Sequence, residues 1–537
     1  MWMDVSTNFG DYFKLPNPRL RGMFNRIKVG SPDEIRTTFY RGKSLTQILA
    51  GWMPSLNQLA TEWPGLLEFE IDLSKKVGPL SVMKPLRERM ADIDSYYESI
   101  LLDSKPLDPA AVEAVKREWA GVRGIRLRGQ ERTVEVMKKS TNSGSPFYRK
   151  KRDVIAETVP CEVYSTFSGN FPEVVQELSG STWKACAVLG WRGQEGGVSP
   201  DDVKQRVVFM FPFAVNIREL QLYQPLVAAA QRQNLVPAWV GMDAVDDRIT
   251  RLFDTKGSRD LVVCTDFTRF DQHFNSDLQS AARSLLEWVM ASVPECSQWL
   301  DSVFPIKYEI PLAFEWGKMR MGAHGMGSGS GGTNADETLA HRCLQYEAAL
   351  THRKILNPNS MCLGDDGVLT YPGITAKDVM DTYVQHGLDM NLDKQMESTD
   401  QCVFLRRWHH ARYRVHERCV GVYSTCRALG RLAEQERYYP REIWGPKMVA
   451  LRQLSILENV KYHPLKEAFV DYCMRGDKYR LGIDIPGFLE DLTKLSKEAM
   501  AIMPDFLGYT KSMQADIDQV AEGIQSWWIV RYLKSKA

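Results

Sequence analysis

The 537-residue chain lacks several things that would have narrowed its role quickly. Neither sign of charge dominates, with 68 Lys and Arg against 67 Asp and Glu. That balance alone says nothing about nucleic acid, and any basic channel must be local. The ten cysteines are scattered singly, with no Cys-x-x-Cys pair. Zinc-ligand spacing is therefore absent, and the thiols are expected to be reduced. His409, His410 and His416 make no metal spacing either, and are read as surface or RNA-facing groups. No apolar run approaches a bilayer's width: the longest, Val207 to Val215, is nine residues and contains Pro212. The N-terminal residues carry no basic, apolar leader pattern. Repeats and low-complexity segments are also missing.

What is present suffices for a large folded body. The hydrophobic fraction is 44% and the charged fraction 25%. At this length several subdomains around a shared core are expected. Leu261 to Asp266 (LVVCTD) predicts a buried strand ending in a carboxylate. Leu278, Ala282, Leu285, Leu286 and Val289 predict a helix capped by Asn275 or Ser276. The glycine-rich GMGSGSGGT leads into a helix from about Asn334 to His352. SMCLGDDGVLTY predicts a hairpin with Asp365 and Asp366 at its tip. Met448, Leu451, Leu454 and Leu457 predict one amphipathic helix; Met513, Ile517, Val520, Ile524 and Trp527 predict another.

Carboxylates at the ends of rigid strands suit one chemistry well. Nucleotidyl transfer uses two divalent ions roughly 3.5–4 Å apart. Mg²⁺ takes hard oxygen ligands and keeps several waters, so a few converging carboxylates suffice. Asp266, with Asp271 five residues on, and the Asp365–Asp366 pair offer such a set if their strands are neighbours.

The order D-x4-D (Asp266 to Asp271), SG-x3-T (Ser328, Gly329 to Thr333), then GDD (Gly364 to Asp366) resembles motifs A, B and C of viral RNA-dependent RNA polymerases. Ser143, Gly144, Ser145 and Pro146 resemble the template-contacting motif G. Lys204 and Arg206 resemble the basic motif F, with Arg192 a further candidate. Lys394 falls where motif D carries a lysine. Phe404 to Arg407 resembles the primer-gripping motif E, with Arg406 and Arg407 its basic residues. The wording MGSGSGGTN and CLGDDG looks most like the picobirnavirus polymerases, which serve double-stranded RNA viruses.

The resemblance implies an α+β right hand: fingers, a palm with a small antiparallel sheet, a helical thumb, and an N-terminal extension closing it. Expected boundaries are 1–60 for the extension, 61–250 for the fingers, and 251–420 for the palm with a fingers insertion at 272–315. The thumb and C-terminal segment would span 421–537. Asp266, Asp365 and Asp366 are the implied metal set, for two Mg²⁺ ions with Mn²⁺ also accepted. Lys394 would be a general acid toward pyrophosphate.

Asp271 would read the ribose 2′-hydroxyl, with Ser328, Gly329, Thr333 and Asn334 near the substrate. Related enzymes often carry Asn four residues after the Thr; here Glu337 stands there, so which side chain completes the ribose network stays open. Lys204 and Arg206, two apart on a strand, share a face and suit a triphosphate. The basic stretch from Lys138 to Arg152 suggests salt-sensitive template contacts. Expected partners are template and product RNA, NTPs and a viral capsid protein, with no membrane; the expected setting is the virion interior and host cytoplasm. A segment from Gly508 onward is a candidate for blocking product exit. A reverse transcriptase and a non-catalytic, capsid-associated RNA-binding protein are the alternatives; Asp271 and the paired aspartates argue against each in turn.

Overall fold

A computed structural model describes residues 1–502 and 523–537. Met513, Ile517 and Val520, and the start of the segment from Gly508, lie outside the described residues. The rest of that expected helix is broken. Ile524–Ser526 forms a 3-10 turn, and a new helix runs from Trp528 to Lys536.

Four strands make the sheet that matters most. In spatial order they are Met361–Leu363, Asp366–Leu369, Val262–Thr265 and Met396–Ser398, all antiparallel. Val262–Thr265 is central and buried at every position, as a β-branched run predicts. One face of this sheet meets the helix Thr333–Thr351. Next to it the strands Gln401–Phe404, Arg407–His410 and Val422–Tyr423 form a second antiparallel sheet.

A five-stranded sheet lies apart from these. Its order is Trp2–Asp4, Lys318–Arg320, Leu312–Glu315, Ala187–Gln194 and Lys204–Met210. The segment after the helix Ser276–Val289 thus returns to join strands more than a hundred residues earlier, through a parallel pairing of Ala187 with Leu312. The chain's first strand closes one edge, which shields it from foreign pairing. A three-stranded meander, Glu162–Ser168, Phe171–Leu178 and Ser181–Ala185, stands beside it.

Apolar burial divides into two large cores. One joins the sheets to the helices Phe213–Arg232, Ser276–Val289 and Thr333–Thr351. The other joins Phe39, Leu45, Ile48, Trp52 and Leu66 to helices Thr425–Ala433, Pro446–Leu457 and Lys466–Arg475. The helix Pro64–Lys76, expected in the fingers segment, packs in this second core. The reason is a buried polar seam. Glu70 is fully buried and accepts from the Thr425 amide at 3.1 Å, and Trp52 Nε1 donates to Thr425 Oγ1 at 2.8 Å. Unpaired, Glu70 would be costly to bury.

The ten cysteines are free and buried. Among the described residues no helix is long and apolar enough to cross a membrane.

Candidate active site

The register of the central sheet builds the site. Gly367 pairs with Thr265, so one step further Asp366 comes level with Asp266, and Asp365 sits at the turn. Gly364 adopts φ 57°, a left-handed value that suits glycine at this tight turn. Its amide donates to Thr338 Oγ1 at 2.9 Å, and its carbonyl meets His341 Nδ1 at 2.8 Å. A Cβ on Gly367 would stand 2.7 Å from both the His341 ring and Thr265 Oγ1. The hairpin is therefore pressed onto the helix Thr333–Thr351. Burial pushes the His341 pKa down to about 4, so the ring is neutral and Nδ1–H is the donor.

Asp266 projects from the end of its strand into solvent. Its backbone is clamped by one side chain: Gln395 Oε1 accepts from the Asp266 amide, and Gln395 Nε2 donates to the Asp266 carbonyl, both at 2.8 Å. Desolvation raises the Asp266 pKa, while Lys394, then Lys76 and Lys204, oppose the shift. Lys394 ends the turn Leu392–Lys394 and is exposed. Asp365 also reaches solvent, through a crevice whose walls raise its carboxyl above the usual range. Repulsion from Asp271 and Asp266 adds to that, while Arg206 opposes it. Asp366 points the other way: its Oδ2 accepts from the Leu405 amide at 2.7 Å, and burial pushes it up to about 7.

Asp271 lies in the short helix Phe270–His273 and forms an ion pair with Arg206. Arg206 belongs to the strand Lys204–Met210, where it is cross-strand neighbour to Arg192. The expected shared face of Lys204 and Arg206 is there, but Arg192 is engaged elsewhere, pairing with Glu436 at 3.2 Å.

The glycine-rich loop is tied down at many points. Met326 N donates to the Asp271 carbonyl at 2.8 Å, Gly327 N to the Lys307 carbonyl at 3.0 Å, and Gly331 N to Glu219 Oε1 at 3.1 Å. A Cβ on Gly329 would fall 1.7 Å from the Phe209 carbonyl oxygen, so this loop's backbone needs glycine to lie against the strand. Neither Ser328 nor Thr333 bonds Asp271. Ser328 Oγ donates to the Val207 carbonyl, and Thr333 Oγ1 to the carbonyls of Gly327 and Ser330, all at 3.2 Å. Asn334 Oδ1 accepts from Trp239 Nε1 at 2.7 Å.

Other expected residues land further out. Ser143 and Ser145 are buried, and their hydroxyls serve the protein. Ser145 Oγ donates to the Tyr12 carbonyl at 2.6 Å and accepts from Gln176 at 3.0 Å, while Ser143 Oγ accepts from the Arg149 amide at 3.1 Å. Gly144 has φ 62°, and Pro146 follows a cis bond. Arg406 is exposed at a turn with φ 60°; Arg407 donates to Asn459 at 3.1 Å. His409 and His410, expected at the surface, are buried against Asp246 and Asp400.

The sequence reading missed Gln395, Glu219 and the buried set around Asp336. Asp336 accepts from the hydroxyls of Tyr223 and Tyr308 at 2.7 Å and pairs with Lys307 at 2.9 Å. Adjacent acids at 336–337, beside Ala335, Leu339 and Ala340, were the available signal.

Among the described residues no three His, Cys, Asp or Glu side chains already close on a single point. The donor set nevertheless fits a hard cation: all its atoms are carboxylate oxygens, and desolvation raises both Asp266 and Asp365, with repulsion from Asp271 and Asp266 adding at Asp365.

Comparison with known proteins supplies the family. The model of the viral RNA-dependent RNA polymerase family matches residues 127–425. A potential RNA-dependent RNA polymerase of human picobirnavirus, strain Human/Thailand/Hy005102, is 60% identical over 99% of this chain and 100% of its own. The crystal structure of a human picobirnavirus RNA-dependent RNA polymerase is 60% identical and superposes with a TM-score of 0.94, covering 100% of both chains. An insertion-loop deletion mutant of such a polymerase is 57% identical with a TM-score of 0.92, again covering both chains fully.

Proposed function

The chain belongs to the viral RNA-dependent RNA polymerases, alongside those of picobirnaviruses, and from that premise we propose how its residues divide the work. The observation that carries the reading is the register that brings Asp266 level with the Asp365–Asp366 turn at one end of a buried sheet. Asp266 and Asp365 would hold two Mg²⁺ ions, which when bound acidify the primer 3′-hydroxyl and neutralise the triphosphate. Asp366, bonded to Leu405, would fix the hairpin against the next sheet.

Arg206 and Lys204 would take the triphosphate from the strand that faces Asp271. Their geometry suits bidentate and point-charge contacts respectively. Lys394, close enough to act on Asp266, would hold the proton that the departing pyrophosphate needs. Exposed Arg406 would touch the primer backbone. Ser143 and Ser145 would shape the template path through the backbone they hold, since their hydroxyls are spent.

In this reading the four-stranded sheet is the palm, and the five-stranded sheet with the meander is the fingers. The C-terminal helices form the thumb, and the first 80 residues tie fingers to thumb. The work proposed is replication and transcription of a double-stranded RNA genome, inside the particle and beside its capsid protein.

The test is template-directed incorporation of labelled NTPs with Mg²⁺. Wild type is expected to extend RNA. Asp365→Ala, folded and still binding RNA, should lose at least about a thousandfold in rate, since losing a charge-stabilising group alone costs about that much. Equal activity in the two proteins would put the catalytic centre elsewhere.

A further inference from the structure

The strand Met396–Ser398 runs against Val262–Thr265, with Met396 opposite Cys264. Beyond Met396 the main chain leaves this ladder. Pairing resumes at Thr268, which bridges to Asp389 and whose amide donates to the Asp389 carbonyl at 2.8 Å. There are four steps from Cys264 to Thr268 and seven from Met396 to Asp389, so three residues are extruded on one side. Three residues make the 3-10 turn Leu392–Lys394. The turn spends its own main chain: Lys394 N donates to the Asn391 carbonyl and Gln395 N to the Leu392 carbonyl, both at 3.1 Å. A continued register would have set Lys394 against Asp266, so the gap in the ladder falls at a proposed metal ligand.

Asp266 keeps its peptide groups paired all the same, because the Gln395 side chain reaches into the gap. Gln395 Oε1 accepts from the Asp266 amide and Gln395 Nε2 donates to the Asp266 carbonyl, each at 2.8 Å. Nε2 also donates to the Asn391 carbonyl at 2.8 Å, at the other end of the turn. A primary amide carries the same donor and acceptor as a peptide group, so it can fill the place of the missing step.

We propose that Gln395 is a positioning residue for metal binding: its amide stands in for the ladder step that the turn Leu392–Lys394 removes, and so fixes the main chain of Asp266 and the direction of its carboxylate. Two demands meet at this point. Lys394 leaves the sheet and stands exposed beside Asp266, while a metal ligand has to be held within about 0.5 Å of its working place. Without the amide, the Asp266 N–H and C=O turn to water, and its carboxylate no longer converges reliably with Asp365. Outer partners that orient a ligand set metal affinity by about 10–100-fold. The proposal rests on Asp266 being a metal ligand.

The experiment measures Mn²⁺ binding by the full chain without nucleotide, from the electron paramagnetic resonance of the free ion. It compares wild type, Gln395→Met, Gln395→Ala and Asp266→Asn, with melting and affinity for a primed RNA template measured alongside. Met keeps the length of Gln and loses the amide; Ala loses the amide without the bulk of Met. Gln395 is part-exposed, so both variants are expected to melt close to wild type and to bind RNA within about twofold of it. Their Mn²⁺ affinity should fall about tenfold or more, and the Mg²⁺ concentration for half-maximal single-nucleotide addition should rise by about the same factor. Folded Met and Ala variants that bind Mn²⁺ as wild type does, while Asp266→Asn does not, overturn the role of Gln395 alone. A loss of RNA affinity as large as the loss of Mn²⁺ affinity marks a general distortion and also overturns it. If Asp266→Asn itself keeps the wild-type Mn²⁺ affinity, the metal reading of Asp266 falls, and this proposal with it.

Discussion

At the scale of single residues, Asp366 ties stability to acidity. Its pKa is pushed up to about 7, first by burial and then by Asp365. An acid with a raised folded pKa binds more protons folded than unfolded. Stability therefore falls as pH rises from about 4 to about 7, and the whole penalty stands above 7. The ceiling is about 4 kcal/mol at 1.36 kcal/mol per pKa unit. Asp366→Asn keeps an oxygen for the Leu405 amide and removes the charge. In EDTA it is expected to melt higher than wild type at pH 8 and nearly level with it at pH 4.5. Mg²⁺ at pH 8 should raise both melting temperatures, since Asp266 and Asp365 remain in both proteins. Equal gaps at both pH values would show that Asp366 is not the titrating group.

Arg206 gives a second residue-scale expectation. It pairs with Asp271, and in the proposed division of work it would take the triphosphate, so Arg206→Ala should raise KM for every NTP by about tenfold or more, the worth of a charge-assisted contact. Initial rates against NTP concentration measure it; an unchanged KM would remove Arg206 from the triphosphate site.

Among the elements, the helix Thr333–Thr351 does most to hold the site, and its buried polar residues explain how. Asp336 neutralises Lys307, whose ammonium is fully buried and also lies 3.8 Å from the Phe304 ring centroid. Asp336→Ala leaves that charge alone and should cost about 3–5 kcal/mol in urea unfolding. Asp336→Leu combined with Lys307→Met removes both charges and should recover most of the loss, since a buried pair is often replaceable by apolar packing. A loss no smaller in the double variant would mean that the tyrosine hydroxyls, and not the lysine, set the cost.

Elements of this kind were legible in the sequence where local rules decide them. The strand Val262–Thr265 follows from β-branched residues, and the helix Ser276–Val289 begins where Asn275 caps it. The hairpin at Gly364 and the helix Pro446–Leu457 follow from turn chemistry and period. What was not legible depends on partners far along the chain. Ser145 is spent on Tyr12, 133 residues away, and Arg192 on Glu436, 244 residues away. Glu337 read as a departure from related sequences, yet only the fold sets it beside Asp271. A motif reports which residues gather; it does not report which of their hydrogen bonds are already taken.

The whole molecule is held partly by its N-terminal residues, which run from the five-stranded sheet to the second core. Trp2–Asp4 completes the five-stranded sheet, Ile35–Arg36 pairs with Glu434–Gln435, and Leu45–Leu56 packs on Thr425–Ala433. Ion pairs bridge the same gap from the other side. Glu195, just beyond the strand Ala187–Gln194, accepts from Arg427 at 3.1 Å, and both side chains are largely buried. In the proposed reading such links would enclose the template and keep RNA by topology more than by affinity. Arg427→Ala leaves Glu195 only the longer pairing with Arg431 at 3.9 Å and should loosen the link by about 2 kcal/mol, the worth of a hydrogen bond to a charged group. The chemistry at Asp266 and Asp365 is untouched, so single-nucleotide addition should hold its rate. Product length after one binding event, measured with a heparin trap, should shorten. Glu195→Gln with Arg427→Gln, which removes both charges together, should restore length in part. A variant that slows the first addition as much as it shortens the product would show that the link serves the catalytic site and not the enclosure.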